Sequence, residues 1–422
     1  MRTVRRIRRH GQGTRTIAAK LADLPLTAQV VDAKVALIQE LIPLGLLHVA
    51  ESLQQEVELL AGPRYARGDQ HPDVVRHGQQ WGSVYLGDQK LPIPVPRVRD
   101  RRRGVELPLA TYRRLQQPRA ADDGVVRRIL AGLSCRDYER CAEAVPEAFG
   151  LSAASVSRRY VQASGRQLQA FHQRSLAEYE VVALFLDGKT FAEDTMVIAL
   201  GVTQAGRKVL LGFVQSGTEN AQTCTALLTE LVARGLRVGD GVLVVIDGGK
   251  GLHRAVETAF GPTAAVQRCQ WHKREGVVAY LPWAQQRRFR SKLQAAYRQP
   301  TYAKAKAALL RIRQELVPLN LSAARSLDEG LEETLTLHRL GLAPALGLSF
   351  STTNCLESVN ALVEQRTGKI DHWTNSDQKQ RWLAVALLEI EPRLRRVKGL
   401  QHLGALRRAL QQHMKGATKR VA

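Results

Sequence analysis

The sequence of 422 residues has few cysteines, few aromatic residues and no long apolar run. Its five cysteines are scattered and include no Cys-x-x-Cys pair, which is typical of reduced thiols rather than of a disulfide framework. No segment approaches the about 20 apolar residues of a membrane span. The Arg-rich N-terminus is not followed by the apolar segment of a secretory signal. We therefore expect a soluble, cytoplasmic protein with no membrane attachment.

Acidic residues are also scarce relative to basic ones. The chain has 62 Lys and Arg against 39 Asp and Glu, a formal net charge of +23 at pH 7. A charge of this sign favours polyanionic partners, of which nucleic acid is the commonest. An anionic membrane surface is the alternative, but no amphipathic basic helix of the membrane-binding kind stands out. The composition therefore favours DNA or RNA as the partner.

The length exceeds what one hydrophobic core usually serves, so two to four domains are expected. Pro43 and Gly45 interrupt a helical pattern over 28–62, which favours a helical hairpin there. Pro92, Pro94 and Pro96 predict an edge strand in a β-hairpin over 80–99. The predicted regions are a basic arm and helical hairpin (1–70), a β-hairpin and Arg-rich linker (71–120), a helix-turn-helix-like region (121–175), the first part of an α/β core (176–272), a helical insertion (273–350), the end of the core (351–395) and a basic helical tail (396–422).

Two apolar segments that each end in Asp-Gly organise the core. Residues 181–186 precede Asp187, and residues 241–246 precede Asp247. Continuous β-branched and aliphatic runs predict strands that are buried on both faces. With the intervening patterns, the predicted order is β-β-β-α-β-α-β, a mixed sheet with helices on its faces. Because open α/β sheets carry their sites at strand ends, Asp187 and Asp247 are predicted to form a paired-carboxylate centre.

Two neighbouring carboxylates repel each other, and a divalent cation relieves that repulsion. Ligation by carboxylates alone favours Mg²⁺ or Mn²⁺ over zinc. Two such ions can activate a water or a 3′-hydroxyl for attack on a phosphodiester. A third acid is normally needed, and the later helical region offers Glu357, Glu364, Glu389 and Glu391. An aspartyl phosphatase is less consistent with the sequence, because Lys189 stands where that class needs a second acid.

Two further groups of residues bear on function. Cys269 and His272 have a spacing that zinc sites use, but a structural zinc site needs four ligands and no second pair is evident. A Ser- and Arg-rich helix from 153, which contains Arg158 and Arg159, follows a turn at Gly150 and resembles the reading helix of a helix-turn-helix unit. Arginines 97, 99, 101, 102 and 103 fringe the hairpin and can contact a DNA backbone or remain solvated. We regard Arg101, Arg102, Arg103, Arg158 and Arg159 as candidate DNA contacts.

Several segments together resemble the mutator-type transposases of bacterial insertion sequences. They are Leu186-Asp187, Val245 to Leu252 with Asp247-Gly-Gly-Lys-Gly-Leu, Gln267 to His272 with Cys-x-x-His, and Ser351 to Asn360 with Thr-Thr-Asn-x-x-Glu. The segments from Arg76 to Arg97 and at Gly132-Leu-Ser are also similar to the N-terminal half of that family. The resemblance covers most of residues 70–400. The segment after Asp187, Gly188 to Phe191, departs from the family pattern.

The resemblance implies an RNase H-like catalytic core with a DDE triad and an all-helical insertion before the last acid. Carried over by position, the triad is Asp187, Asp247 and Glu357, with Cys269 and His272 supporting the active site. The implied reaction is metal-dependent cleavage at element ends and transfer of the 3′-hydroxyl into target DNA, by a homo-oligomer that binds terminal inverted repeats. The alternatives are a structure-selective nuclease or resolvase, which needs no terminal repeats, and a catalytically silent DNA-binding descendant.

Overall fold

The computed structural model describes residues 28–65, 73–86, 89–117, 119–141, 148–191, 193–217 and 220–421. Within these ranges the chain divides into two units. The first contains residues 28–129 and 133–163, and the second contains residues 130–132 and 164–421. The basic arm that we predicted at the start of region 1–70 lies outside the described residues, which begin at residue 28. None of the described helices is long and apolar enough to cross a membrane.

The first unit combines a three-stranded antiparallel sheet with helices. Its strands follow the order β1-β2-β3, and the apolar side chains of Leu53 and Val57 in its first helix pack against Val84, Ile93 and Val98 of the sheet. The elements are α1 (Ala28–Ala61), β1 (Val74–Leu86), β2 (Gln89–Asp100), β3 (Val105–Leu107), α2 (Ala110–Leu115), α3 (Arg119–Leu130), α4 (Tyr138–Cys141) and the beginning of α5 (Ala153–Gln173).

A five-stranded mixed sheet forms the centre of the second unit, in the order β6-β5-β4-β7-β8. Strands β4, β5 and β6 pair antiparallel, whereas β7 is parallel to both β4 and β8. The bounds are β4 (Val181–Phe191), β5 (Asp194–Thr203), β6 (Lys208–Ser216), α6 (Ala221–Ala233), β7 (Val242–Ile246), α7 (Lys250–Phe260) and β8 (Ala264–Arg268). These elements confirm the predicted order β-β-β-α-β-α-β and a mixed α/β class.

Helices cover both faces of this sheet. Apolar residues of α6 and α7 pack on one face, and residues of the C-terminal helices pack on the other. A group of helices between β8 and the C-terminal helices has its own core around Phe289, Leu309 and Leu327, as the predicted insertion requires. The helices are α8 (Gln270–Val278), α9 (Trp283–Tyr297), α10 (Tyr302–Leu316), α11 (Leu321–Asp328), α12 (Leu331–Thr334), α13 (Thr336–Arg339), α14 (Ala343–Phe350), α15 (Asn354–Thr367), α16 (Ser376–Ile390) and α17 (Leu403–Val421).

The predicted helical hairpin over 28–62 is wrong. Helix α1 runs without a break through Pro43 and Gly45. A proline inside a helix removes one backbone hydrogen bond and costs about 3 kcal/mol, but it does not end the helix when other interactions compensate. Here the C-terminal half of α1 packs Val49, Leu53 and Val57 into the core of the first unit, which stabilises the continuous helix.

The prediction that the prolines mark an edge strand is correct only in part. Strand β2 lies between β1 and β3, but β3 pairs only with Val98, Arg99 and Asp100. The segment with the three prolines pairs with β1 alone, so its other edge needs no N–H donors there. The prolines therefore lie in the part of the central strand β2 that is paired on one edge only.

Two boundaries in the second unit also differ from the sequence prediction. Strand β4 does not end at Asp187 but continues to Phe191, because its last residues pair with β5 after β7 has ended at Ile246. The predicted basic tail is helical, but it packs on the core instead of extending from it: Leu403, Leu406 and Leu410 of α17 are buried against the sheet. Burial of this apolar face makes α17 part of the layer that covers the sheet.

The predicted DNA contact by Arg159 is wrong, because the side chain lies in the interior of the first unit. Its Nε donates a 3.2 Å hydrogen bond to Asp122 of α3, and its guanidinium stacks over the ring of Tyr85. Both members of this ion pair are buried. Arg158, the adjacent residue on α5, is exposed. Of the two adjacent arginines, only Arg158 is therefore available to contact a polyanion.

We expect Asp122→Ala to destabilise the protein strongly, because it leaves the Arg159 guanidinium buried without its carboxylate. Breaking a buried ion pair from one side costs about 3–5 kcal/mol. Urea-induced unfolding followed by circular dichroism measures the loss. Arg158→Ala is the matched control and should leave the unfolding midpoint unchanged. An equal loss from both substitutions would contradict a buried structural role for Arg159.

Candidate functional site

The two aspartates lie side by side where the parallel pairing of β4 with β7 ends. Leu186 of β4 pairs with Ile246 of β7, so Asp187 and Asp247 each follow one residue beyond the same rung. Neighbouring strands are separated by about 4.8 Å, which brings the two residues to one point on the rim. Asp187 is only 7% exposed, whereas Asp247 is partly exposed. The two residues that the sequence pairs are therefore neighbours in the fold.

Both aspartates are on the face of the sheet that the C-terminal helices cover. Side chains two apart on a strand share a face, so Asp187 and Asp247 follow the direction of Phe185 and Val245. Phe185 and Val245 belong to the same core as Leu356 and Val359 of α15, the helix that carries Glu357. The alternation of the strands thus directs the aspartates toward the layer that contains Glu357.

The chain turns sharply at Gly248 immediately after the second aspartate. Gly248 has φ +104°, and a Cβ there would overlap the guanidinium of Arg268. Only glycine adopts this conformation without strain in so little space. The turn allows the Gly249 N–H to donate a 2.8 Å hydrogen bond to Oδ1 of Asp247. The orientation of the Asp247 carboxylate is therefore fixed by its own turn.

Of the four acids that the sequence offers as a third member, three have cationic partners. Glu364 accepts from Lys189 at 2.8 Å, Glu389 from Arg366 at 3.0 Å, and Glu391 from Arg174 at 2.7 Å. Glu357 differs, because its Oε1 is buried and has no hydrogen-bond partner in the described part of the chain. A buried carboxylate oxygen without a partner is costly. Glu357 is therefore the acid among these four that is free to bind a cation.

Lys189 fastens the helix of Glu357 to the strand of Asp187. Its Nζ donates to the backbone oxygen of Asn360 at 2.9 Å and to Oε2 of Glu364 at 2.8 Å. Lys189 is two residues beyond Asp187 on β4, and Asn360 is about one turn beyond Glu357 on α15. The three acids are thus carried by elements that are packed together. Among the described residues, however, no three His, Cys, Asp or Glu side chains are close enough to form a metal site as they stand.

Cys269, His272 and Thr353 form a buried cluster that joins the rim to the start of α15. The Cys269 N–H donates to the oxygen of Ile246 at 2.7 Å, directly before Asp247. The Thr353 N–H and hydroxyl lie 3.5 and 3.6 Å from Cys269 Sγ, and the hydroxyl lies 3.4 Å from Nδ1 of His272. The oxygen of Thr353 in turn accepts from the N–H of Glu357 at 3.1 Å. The cluster therefore connects the Asp247 strand with the Glu357 helix.

The electrostatics of this cluster favour an imidazolium beside a thiolate. The hydrogen bond to Cys269 raises the pKa of His272 to about 9 against the effect of burial, and the charges of Cys269, Asp187 and Asp247 add to the rise. Burial would raise the pKa of Cys269, but hydrogen bonding to His272 and to backbone amides outweighs it and lowers the pKa. His272 is therefore a cation within electrostatic reach of both aspartates.

The structure adds two residues that sequence reasoning did not select. Thr353 stands within the Thr-Thr-Asn signature, so its motif was visible but its contact with Cys269 was not. Lys189 was noted in the sequence as an argument against an aspartyl phosphatase and as part of a departure from the family pattern, but its contacts with Asn360 and Glu364 were not predicted. Among the predicted DNA contacts, Arg101, Arg102 and Arg103 are exposed in the turn between β2 and β3 of the first unit.

We expect His272→Ala to raise the pKa of Cys269, because it removes the hydrogen bond and the positive charge that favour the thiolate. A pH titration of thiolate absorbance, taken as the difference from the Cys269→Ser derivative of each protein, measures the shift. Cys355→Ser is the control: burial raises the pKa of that thiol, so its loss should not alter the titration near neutral pH. An unchanged Cys269 titration in His272→Ala would contradict the ion-pair interpretation.

Comparison with known proteins identifies the family. The model of the Mutator family of transposases matches residues 16–394. The transposase of IS905 from Lactococcus lactis is 30% identical over 236 residues, 54% of this chain and 58% of that protein. The transposase of IS256 in Tn4001 from Staphylococcus aureus is 25% identical over 350 residues, 80% and 86% of the two chains. That of IS6120 from Mycolicibacterium smegmatis is 28% identical over 287 residues, 66% and 87%. The chain belongs to the Mutator family of transposases.

Proposed function

We propose that this protein is a DDE transposase that cleaves DNA at the ends of an insertion sequence and transfers the 3′-hydroxyl into target DNA. The observation that carries the proposal is the in-register pair Asp187 and Asp247, on the sheet face covered by the helix of the unpartnered Glu357. Membership of the Mutator family supports the transposase role. The catalytic residues are then Asp187, Asp247 and Glu357.

The second unit is, in this proposal, an RNase H-like core. Three antiparallel strands precede two parallel ones, and the first of the three lies at the centre beside the fourth, which gives the order β6-β5-β4-β7-β8. The helical insertion between β8 and α15 is in keeping with this fold, since it separates the last acid from the sheet in sequence. The topology supports the assignment because it accounts for the position of each acid.

Mg²⁺ or Mn²⁺, as two ions, is the cofactor that these residues would hold. All three proposed ligands are carboxylates, the donor type that hard cations prefer, and Glu357 offers an oxygen without a partner. When bound, such ions activate the attacking hydroxyl and stabilise the leaving oxygen of a phosphodiester. Because no three ligand side chains of the described residues are gathered as they stand, binding would draw the carboxylates together.

The surrounding residues would orient this centre. The Gly249 N–H holds Asp247, and Lys189 holds the helix of Glu357. The imidazolium of His272 offsets part of the negative charge of the aspartates, while Cys269 and Thr353 keep the ring in place. In this role Cys269 and His272 support the site and take no part in bond breaking.

DNA is the partner that the charge of +23 favours. Terminal inverted repeats and target DNA would both be bound, and joining two element ends in one reaction would require more than one copy of the chain. The exposed arginines Arg101, Arg102, Arg103 and Arg158 are the candidate contacts to phosphates.

Asp187→Asn, Asp247→Asn and Glu357→Gln should each reduce metal-dependent strand cleavage by more than about a hundredfold, since even residues around a metal ligand contribute about 10–100-fold. Each substitution removes a charged ligand and leaves the shape of the side chain. Cleavage of duplexes that carry the inverted repeats flanking the coding region, with Mg²⁺ or with a chelator, measures the effect. DNA binding in the chelator should persist in all three variants.

The matched controls are Asp240→Asn, an exposed aspartate before β7, and Glu257→Gln, an exposed glutamate on α7. Both should retain cleavage in the presence of Mg²⁺. Full activity of Asp187→Asn, Asp247→Asn or Glu357→Gln would refute the triad. Equal cleavage of duplexes with and without the terminal repeats would favour a structure-selective nuclease or resolvase instead.

The arginines of the β2–β3 turn allow a separate test of DNA contact. Replacing Arg101, Arg102 and Arg103 with Ala should weaken binding and make its dependence on the logarithm of salt concentration shallower, by about 0.9 for each lost phosphate contact. Fluorescence anisotropy over a series of salt concentrations measures the slope. An unchanged slope would remove this turn from the DNA interface.

A further inference from the structure

A cavity of about 480 Å³ lies beside the Cys269, His272 and Thr353 cluster, within the second unit. This volume is in the range of small-molecule sites, about 300–1,000 Å³. Its walls come from the beginning of α8, the end of α9, the helices α13 and α14, and the segment that leads into α15. The lining includes Trp271, Arg274, Arg298, His338, Leu348 and Asn354.

The cavity shares a wall with the candidate catalytic site. Gln270 and Trp271 follow Cys269 directly, and the Gln270 N–H donates to the oxygen of Ser351 at 2.9 Å. The ring of Trp271 stands edge-on to the ring of His272, with 4.8 Å between the centroids. Cys269, two residues before Trp271, donates its N–H to the oxygen of Ile246 at 2.7 Å, so the cavity wall is joined to the residue that precedes Asp247.

The lining combines apolar surface with cationic and amide groups. Trp271 is 41% exposed and Leu348 is 76% exposed, so a large ring face and an aliphatic side chain are accessible. Arg298 contributes positive charge and Asn354 contributes an amide, whereas the charge of Arg274 is paired with Glu275, to which its Nε donates at 2.9 Å. Among the described residues that line the cavity, none is acidic. This chemistry suits a planar ring with hydrogen-bonding groups that is attached to an anion.

His338 adds an acceptor to the wall. It is only 4% exposed, and its Nε2 lies 3.1 and 3.0 Å from the carbonyl oxygens of Tyr297 and Gln299. Two acceptors at Nε2 assign the proton to that nitrogen, which leaves Nδ1 as an acceptor. Nδ1 is buried and has no hydrogen-bond partner among the described residues.

We propose that this cavity receives one unpaired nucleotide of the DNA, with its base stacked on Trp271 and its phosphate near Arg298. The proposal rests on the proposed function only in that DNA is the substrate. Taking one nucleotide out of the duplex costs a few kcal/mol of pairing and stacking, and an aromatic side chain returns part of that cost. The cavity would hold a strand in place next to the aspartates.

The test compares two duplexes of the same sequence, one fully paired and one with a single unpaired 2-aminopurine nucleotide, in a chelator so that no cleavage occurs. Anisotropy gives both affinities, and 2-aminopurine fluorescence reports stacking. We expect the protein to prefer the unpaired duplex and to quench the probe. Trp271→Ala should lower the preference by at least about fivefold, the lower end of what one base–aromatic stack contributes, and Trp271→Phe should retain most of it.

Trp283→Ala is the matched control, because Trp283 also lies in the insertion and is 87% exposed but does not line the cavity. Trp283→Ala should leave both the preference for the unpaired duplex and the quenching of 2-aminopurine unchanged. Leu348→Trp fills the mouth from an exposed position and should abolish both the preference and the quenching, which guards against a folding defect in Trp271→Ala. Equal affinity for the two duplexes, or equal losses from Trp271→Ala and Trp283→Ala, would overturn the proposal.

Two further outcomes separate this inference from the proposed function. In the first outcome, the protein prefers the unpaired duplex and quenches 2-aminopurine, but the triad variants still cleave. This outcome would support the nucleotide site and refute the triad. Normal metal-dependent cleavage without any preference would refute the nucleotide site alone. A third arm uses free 2-aminopurine deoxyribonucleoside monophosphate. Binding of that nucleotide as tightly as the unpaired duplex would make the cavity a site for free nucleotides and overturn its role toward DNA.

Discussion

The parallel pairing of β4 with β7 is the constraint on which the rest of the site depends. Its register is determined by burial on two faces: Phe185 and Val245 pack into one core, and Leu186 and Ile246 pack into the other. A slip of one residue would exchange the faces of every side chain on a strand. The two apolar layers therefore fix which residues follow the last shared rung, and those residues are aspartates.

The insertion must return the chain to this rim, and buried polar contacts determine where it does so. The side-chain amides of Gln267 and Gln270 both donate to the oxygen of Thr334, at 2.9 and 2.8 Å, and the Leu337 N–H donates to Gln267 at 2.9 Å. Lys273 donates to the oxygens of Ser326 and Glu329, both at 2.6 Å. Burial lowers the pKa of Lys273 to about 8. Satisfied buried networks of this kind specify one arrangement, because any other would leave the same groups unpaired.

The sequence was informative where one physical preference dominates. The β-branched runs before Asp187 and Asp247 predicted both buried strands, and the intervening patterns predicted the order of strands and helices around them. It failed where tertiary contacts outweigh local preference. Pro43 favours a helix break, yet burial of the following turns maintains α1. Strand β4 passes Asp187 because β5 offers it a partner, which no local pattern reveals.

The candidate site could be predicted as a set of residue types but not as a set of contacts. Arg158 and Arg159 are equivalent in the sequence, and only the fold shows that Arg159 is used inside the first unit by Asp122. The fold likewise separates the four candidate acids, because a partner such as Arg366 is 23 residues away from Glu389 in sequence. Contacts between distant segments are what a single sequence does not display.

The excess of basic residues makes the state of Glu357 informative. With 62 Lys and Arg for 39 Asp and Glu, a partly buried carboxylate in this chain has many cations from which to take a partner, as Glu389 and Glu391 do. A buried oxygen that remains unpaired costs about 1–3 kcal/mol or more. In a chain with so many cationic side chains, a hydrogen-bond donor for this oxygen would be easy to supply. Among the described residues no group pairs with Oε1 of Glu357, and this supports the proposal that its partner is a cation from outside the chain, at the layer toward which Asp187 and Asp247 are directed.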